Sequence, residues 1–364
     1  MIRTRLCDLV GIRFPIVQAG MGPWKTENLA IAAANAGILG IISTAGIHAQ
    51  AMGVVPLGES TNRGEGARTP HEMIKQAIRR VTEATHEAKG VFGVNCIVSS
   101  EVLQEAKCII GATLEARQEE REVKERLRVI ITSAGDPMPW AEIIKPSGVK
   151  WFHVVPSVRH ARRCEKAGVD VVIASGHEGG GHISWEPVHS MVLLPAVVRA
   201  VSIPVIGAGG FCDGATLVAA LALGACGIQM GTRFIATKES DFVQLWKNRI
   251  LRSSERDTIA ARGFVGPLRY LKNKASVELA EVTLKKLPRL YLGEPDVTLD
   301  ADIANLELQG LAHLGGDDDE KALFYGGEVA GRIEDIPTVQ ELITRIVKEA
   351  EEIISSLPRL VDSG

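Results

Sequence analysis

Short apolar runs alternate with longer amphipathic or alanine-rich segments along the first 235 residues. The runs are rich in Val and Ile, which is typical of strands covered on both faces. They span residues 14–22, 37–43, 91–97, 127–133, 150–155, 168–175, 203–210 and 225–232. The intervening segments predict helices over 27–36, 70–88, 101–126, 157–167, 188–201 and 213–223.

This alternation predicts a parallel sheet with right-handed crossovers, because the links are too long for hairpins. Eight strands by residue 232 favour an α/β fold of the closed (β/α)8 TIM-barrel type over an open doubly wound sheet. Thr69, as an N-cap followed by Pro70, predicts a helix start. The stretch before it, from Thr44 to Pro70, is polar and irregular, and a loop of that length is usually functional or disordered.

The pattern changes beyond the eighth run. Residues 238–336 are mostly helical in character, with charged stretches, and we predict a helical insertion or lid over the barrel's C-terminal rim. A helix over 338–355 is predicted to return to the barrel as its last outer helix. The predicted division is therefore 1–237 and 337–364 for the barrel and 238–336 for the insertion.

Composition excludes several functional classes. Of the 364 residues, 46% are apolar and 23% charged, and a net charge of −3 gives no sign of nucleic-acid binding. The six cysteines show no CxxC spacing, so neither a zinc site nor a disulfide framework is indicated. The sequence has no signal-peptide-like start and no apolar run of about 20 residues. We expect a cytoplasmic protein without a membrane or metal partner.

Glycines follow several of the predicted strands. Everything after a strand's C-terminal end faces one rim of a barrel, so glycines far apart in sequence converge there. Ala208, Gly209 and Gly210 after the seventh strand, and Gly231 and Thr232 after the eighth, predict a phosphate site built from amide N–H groups and a hydroxyl. The alternative is that these residues form only a turn and a helix cap.

A phosphate site is compatible with phosphorylated substrates as well as with flavin mononucleotide (FMN). A flavin also needs a narrow slot with polar groups at its edge. Gly20, Met21 and Gly22 after the first strand could form the slot, Asn95 could supply the edge, and Ser175 could bond the ribityl chain. Asn95 could equally satisfy neighbouring backbone, and Met21 could be a core residue.

His182 directly follows the glycine run Gly179–Gly181 at the predicted rim. The pKa of histidine lies close to neutral pH, so His182 can take a proton from a bound substrate. A hydrogen-bonded structural imidazole is the alternative. His177 lies nearby, but its spacing from His182 does not predict a metal site.

Several segments together resemble the nitronate monooxygenase (2-nitropropane dioxygenase) family of FMN-dependent TIM barrels. The likeness runs from about residue 3 to 240 and returns in the C-terminal helix. The segments that carry it are Pro-Ile-Val-Gln-Ala-Gly-Met at 15–21, Phe-Gly-Val-Asn at 92–95, Gly-His-Glu-Gly-Gly-Gly-His at 176–182, Gly-Ala-Gly-Gly-Phe-Cys-Asp-Gly at 207–214, and the stretch 219–237.

The resemblance implies that FMN lies on the rim, held at 20–22 and by Ser175. Its phosphate would rest against Gly180, Gly181, the segment 208–210, Gly231 and Thr232, and His182 would be the catalytic base. In this family a nitronate, or a deprotonated nitroalkane, passes an electron to FMN, and reaction with O2 gives a carbonyl compound and nitrite.

Related activities on the same scaffold remain alternatives. Flavin-dependent enoyl-ACP reductases and NAD(P)H:quinone reductases share the barrel, and the segments 238–240, 256–258 and 269–273 resemble the former. A non-redox aldolase or isomerase that uses the phosphate site for its substrate is the alternative from another class. Val154 stands where many family members carry a lysine near the flavin. The sequence leaves the oligomeric state open, a homodimer included.

Overall fold

The computed structural model describes residues 2–23, 25–47 and 69–360, and its central feature is a parallel eight-stranded sheet. Neighbouring strands follow the order β1-β9-β8-β6-β5-β4-β3-β2, and a bridge between Val17 and Leu39 brings the two ends together. The predicted (β/α)8 barrel is thereby confirmed. The barrel strands are β1 (Ile16–Gln18), β2 (Gly40–Ser43), β3 (Phe92–Ile97), β4 (Leu127–Ser133), β5 (Lys150–Val155), β6 (Val171–Ser175), β8 (Val205–Ala208) and β9 (Gly227–Met230).

Helices lie outside this sheet and at its two ends. They are α1 (Arg5–Val10), α2 (Glu27–Asn35), α3 (Pro70–Ala84), α4 (Leu103–Glu119), α5 (Arg121–Arg126), α6 (Ala141–Ile144), α7 (Val158–Ala167), α8 (Ser190–Ala200), α9 (Gly214–Ala222), α10 (Thr232–Ile235) and α14 (Val339–Ser356). The predicted bounds of β4 and β5 agree with the observed ones. Thr69 caps α3 in a reciprocal arrangement with Glu72, as its sequence predicts.

The prediction of one continuous helix over 101–126 is wrong. A 3₁₀ turn (Ser100–Val102) precedes α4, and Glu120 separates α4 from α5 in an extended conformation (φ −126°, ψ 122°). One face of α4 is also buried, through residues such as Ile109 and Ala116, so the charge of this stretch marks only its outer side.

The N-terminal end of the barrel is closed by α1. Leu6, Cys7 and Val10 belong to the same buried cluster as inward-facing strand residues such as Ile173 and Ile206. The hydroxyl of Thr4 donates to the carbonyl of Cys226, immediately before β9. A ligand therefore has access only from the opposite, C-terminal end of the strands, where enzymes of this fold place their sites.

The segment between α10 and α14 contains α11 (Gln244–Arg252), α12 (Lys274–Lys286) and α13 (Ala301–Ala312), so helix is its main regular structure, although helices and 3₁₀ turns cover less than half of residues 238–336. An antiparallel hairpin of β10 (Thr258–Gly263) and β11 (Gly266–Leu271) was not predicted. β11 also pairs with the short strand β7 (Gly181–His182), so that β10, β11 and β7 form a second sheet. The glycine run thus leads into a strand that the insertion holds.

Two expectations from the sequence concern the irregular loop before α3 and a possible membrane span. Most of the predicted irregular loop, residues 48–68, lies outside the described residues. Among the helices of the described part of the chain, none combines the length and apolarity needed to cross a bilayer.

Gly111 offers a direct test of the helix assignment for α4. It is exposed in the helix interior, and a methyl group added there meets no atom within 4 Å. Gly111→Ala should raise the free energy of unfolding by about 0.5–1 kcal/mol, because alanine loses less backbone freedom on folding. Chemical denaturation would measure this change, and a destabilised variant would contradict the helix assignment.

Candidate active site

A deep pocket opens at the C-terminal end of the barrel strands, with ≈ 1270 Å³ of empty space including the part open to solvent. Every residue that the sequence assigned to the site lines it. These residues are Gly20, Met21, Gly22, Asn95, Ser175, Gly180, Gly181, His182, Ala208, Gly209, Gly210, Gly231 and Thr232. The convergence predicted from the strand ends is therefore observed, whereas the binding role of each residue stays a prediction.

Two glycines allow backbone segments to meet at this pocket. A Cβ atom on Gly180 would lie 2.5 Å from the amide nitrogen of Gly327, and one on Gly209 would lie 2.8 Å from the carbonyl oxygen of Gly176. Gly209 also has φ +83°, which L side chains rarely adopt. A side chain at either position would meet the backbone of a neighbouring loop, so glycine allows these loops to pack closely at the pocket.

Hydrogen bonds join the glycine segment after β6 to the insertion. The amide of Glu328 donates to the carbonyl of Glu178 (3.0 Å), and the Nε of Arg269 donates to the carbonyl of His177 (3.1 Å). The amide of Gly327 donates to the hydroxyl oxygen of Thr232 (3.1 Å), which leaves the Thr232 proton able to donate elsewhere. The insertion therefore forms one wall of the site.

Glu178 anchors the same segment from the barrel side. Its carboxylate is 8% exposed and accepts from the amide of Ser190, the first residue of α8, at 2.9 and 3.2 Å. A carboxylate at a helix N-terminus is stabilised by the unpaired amides and the helix dipole. The segment that carries His182 is thus fixed at both ends.

His182 lies in β7, opposite Leu268 of β11, and its side chain is exposed at the pocket mouth. The surrounding protein atoms lower the pKa of His182 to about 4, and the charge of Arg262 acts in the same direction, whereas Glu101 and the backbone of Val265 oppose it. Because the side chain is open to solvent in the mouth, water offsets part of this desolvation. The imidazole is therefore neutral at pH 7 and can accept a proton.

The remaining polar groups of the pocket differ in how well they are satisfied. Asn95 and Ser133 contact each other across β3 and β4, with the Asn95 amide nitrogen 3.3 Å from the Ser133 hydroxyl. The side-chain oxygen of Gln229 is buried and has no hydrogen-bond partner. An unsatisfied buried acceptor on a pocket wall indicates a place where a donor of a ligand or a water is expected.

Among the histidines that the structure describes, His182 is the one that lines the pocket. His153 is 3% exposed, and its Nδ1 lies 2.6 Å from the hydroxyl of Thr132 in the core. Burial lowers the pKa of His153 to about 4. His153 is therefore a residue of the core.

Several lining residues were not predicted from the sequence. Applying the strand-end rule to β2 and β4 would have found Ser43, Thr44 and Ser133, and Gln229 lies inside the stretch 219–237 that carries the family resemblance. No local signal indicates the residues that the insertion contributes. These are Leu268, Tyr325, Gly327 and Val329.

Comparison with known proteins agrees with this geometry. The family model described as nitronate monooxygenase matches residues 3–349. A 5-hydroxy-7a-methyl-1-oxo-octahydro-1H-indene-4-carboxyl-CoA dehydrogenase of Rhodococcus jostii is 30% identical, with 99% of each chain covered. A probable nitronate monooxygenase of Staphylococcus aureus is 27% identical, with 97% of this chain and 98% of the relative covered.

Two solved structures are similar to this chain over nearly its whole length. FabK from Thermotoga maritima superimposes with a TM-score of 0.79 at 32% identity, over 99% of this chain and 100% of that chain. A nitroalkane oxidase from Streptomyces ansochromogenes shares the fold, with a TM-score of 0.72 at 23% identity over 97% and 99% of the two chains. The chain therefore belongs to the nitronate monooxygenase family of flavin-dependent oxidoreductases.

Proposed function

We propose that this protein binds FMN in the pocket and oxidises nitronates and nitroalkanes with O2 to carbonyl compounds and nitrite, with His182 as the base. The observation that carries the proposal is the position of His182. The imidazole of His182 is held by a strand at a pocket that is also lined by the glycine segments after several barrel strands.

The residues present fit a flavin. The unpartnered Gln229 oxygen can accept from a ring N–H, and the apolar side chains of Ile97, Ile131 and Val154 give a ring a surface to lie against. The amides around Gly209 and Gly231, with the Thr232 hydroxyl, suit a phosphate. The pocket thus offers both a dry wall and an anion site, which a phosphorylated aromatic cofactor needs.

Proton abstraction is the step that this chain's own residues would perform. A ring nitrogen of His182 takes the proton from the carbon next to the nitro group, and the electron pair of that C–H bond moves onto the nitro oxygens to give the nitronate. When bound, FMN supplies the electron acceptor for the nitronate and the electron donor for O2. The pairing of β7 with β11 holds His182 in place at the pocket.

A second candidate function is the redox chemistry of an acyl thioester with NAD(P)H as electron donor, as in an enoyl-thioester reductase, or of a quinone. The observation favouring the thioester is the similarity to the CoA-thioester dehydrogenase, at 30% identity over nearly the whole of both chains, together with the likeness to FabK.

Anaerobic reduction of the bound flavin distinguishes these candidates. We expect an alkyl nitronate to bleach the visible flavin absorbance while NADH and NADPH leave it unchanged. Rapid bleaching by either pyridine nucleotide would instead support the second candidate, and enoyl-CoA turnover would then identify the acceptor. A purified protein that stays colourless after incubation with FMN would contradict both.

A further inference from the structure

Arg262 is a buried arginine without a carboxylate partner. Its side chain is 1% exposed, and it forms no ion pair with any acidic residue in the described ranges. One terminal nitrogen donates to the carbonyls of Gly263 and Phe264, whereas its Nε is buried and has no partner. Burying a guanidinium in this way is costly, and arginine does not lose its proton to avoid the cost.

The nearest buried acid is already engaged. Glu307 is 3% exposed, and its carboxylate accepts from the hydroxyls of Tyr270 (3.0 Å) and Tyr325 (2.9 Å) and from the amide of Phe264. Glu307 forms no ion pair with Arg262, although the charges of Glu101, Glu307 and Asp296 act on the guanidinium from a longer distance. Among the described residues, no carboxylate therefore contacts the positive charge of Arg262.

The strand pairing places Arg262 and His182 on opposite faces of the sheet formed by β10, β11 and β7. Arg262 pairs with Pro267, and His182 pairs with Leu268, which lines the pocket. Successive residues of a strand point to opposite faces, so Arg262 lies on the face away from the pocket. Consistent with this, its guanidinium lies 5.6 Å from the ring centroid of Trp185, three residues beyond His182.

We propose that Arg262 is a positioning residue for proton transfer, whose buried positive charge acts through the thin β10–β11–β7 sheet to keep His182 in its neutral, proton-accepting form. The proposal rests on the proposed role of His182 as the base. The charge of Arg262 lies in the protein interior, where it is screened less than in water, and solvent at the exposed His182 weakens the interaction without abolishing it.

The charges that face His182 have opposite signs and different exposure. Arg262 lowers the pKa of His182, whereas Glu101, in the 3₁₀ turn after β3, raises it. Glu101 is exposed, so solvent weakens its effect. Because a protonated His182 would carry the same charge as Arg262 on the other side of the sheet, the neutral form is favoured at neutral pH.

Removing the Arg262 charge should raise the pKa of His182. Arg262→Gln keeps donors for the Gly263 and Phe264 carbonyls but removes the charge, and we expect the His182 titration to move up by roughly half to one pH unit. Arg262→Lys keeps the charge and should shift it less. Glu101→Gln should shift it downward, by a smaller amount. NMR titration of 13C-labelled histidine rings in FMN-loaded protein, with His182→Gln to assign the signal, measures all three.

The pH dependence of kcat/KM on a neutral nitroalkane gives the second readout, and the acidic limb should move with the NMR titration. An unchanged His182 titration in folded, flavin-loaded Arg262→Gln would overturn the inference. If Arg262→Gln does not fold, Arg262→Lys and Glu101→Gln decide it, since no downward shift in Glu101→Gln would show that His182 is insensitive to this field. If the NMR shifts occur but His182→Gln retains full activity, the proposed function fails while the electrostatic coupling stands.

Discussion

His182→Ala should slow the oxidation of a neutral nitroalkane by roughly 10²–10⁴-fold, because a positioned general base contributes a factor of that order. The variant should still bind FMN, since His182 is exposed at the mouth and its strand is held by backbone pairing with β11. The measurement is kcat/KM on the neutral nitroalkane, with flavin occupancy determined from the visible absorbance of the purified protein.

A preformed nitronate separates the proton step from the rest of the reaction. The loss with the nitronate should be much smaller, because its proton has already been removed. His313→Ala, at an exposed histidine of the insertion, is the matched control and should leave both rates unchanged. Equal losses on the neutral and ionised substrates would assign His182 to binding and remove it from proton transfer.

The sequence is sufficient to predict the barrel and the location of its site. Strands such as β4 and β5 are short, apolar and regularly spaced, so local pattern determines their bounds. The site follows from one geometric rule, namely that loops after parallel strands share a rim, and this rule brings Gly20, Asn95 and Thr232 to one pocket across more than 200 residues of chain.

The contribution of the insertion could not be predicted in the same way. β7 has only two residues, and its partner Leu268 lies 86 positions beyond His182, so no periodicity indicates the pairing. Non-local register depends on which apolar face is buried, which a single sequence does not reveal for so short a strand. For the same reason, no local sequence pattern indicated Tyr325, Glu307 or Arg262. Tyr325 lines the pocket, Glu307 accepts from the Tyr325 hydroxyl, and Arg262 lies in β10, which pairs with the partner strand of β7.

Hydrogen bonds and an ion pair connect the insertion to the glycine segment that leads to His182. Arg269 is 7% exposed and contacts three segments at once: the carbonyl of His177, the hydroxyl of Thr258 (2.9 Å) and the carboxylate of Glu328 (3.3 Å). Movement of the insertion would therefore displace His182 and the anion site together. Under the proposed function, the same hydrogen bonds would therefore couple FMN binding to the alignment of His182.

Gly180→Ala should have the largest effect of any single methyl group added at this join. The new Cβ atom would lie 2.5 Å from the nitrogen of Gly327 and 2.6 Å from the carbonyl carbon of Gly326, and both are backbone atoms that cannot rotate away. Relieving the contact requires the glycine segment and the 326–327 backbone to separate. We expect a loss of about 1–3 kcal/mol in the free energy of unfolding, and a flavin dissociation constant raised about 10-fold or more.

Gly111→Ala, which adds the same methyl group to α4 without meeting any atom, is the matched control and should leave flavin affinity unchanged. Fluorescence titration of the flavin-free protein with FMN and chemical denaturation of both variants measure the two effects. Wild-type flavin affinity and stability in Gly180→Ala would mean that the insertion does not pack against the glycine segment in solution. Loss of flavin affinity in Gly180→Ala with unaltered global stability would restrict the damage to the site itself, because the barrel core formed by α1 and the inward-facing strand residues does not depend on this contact.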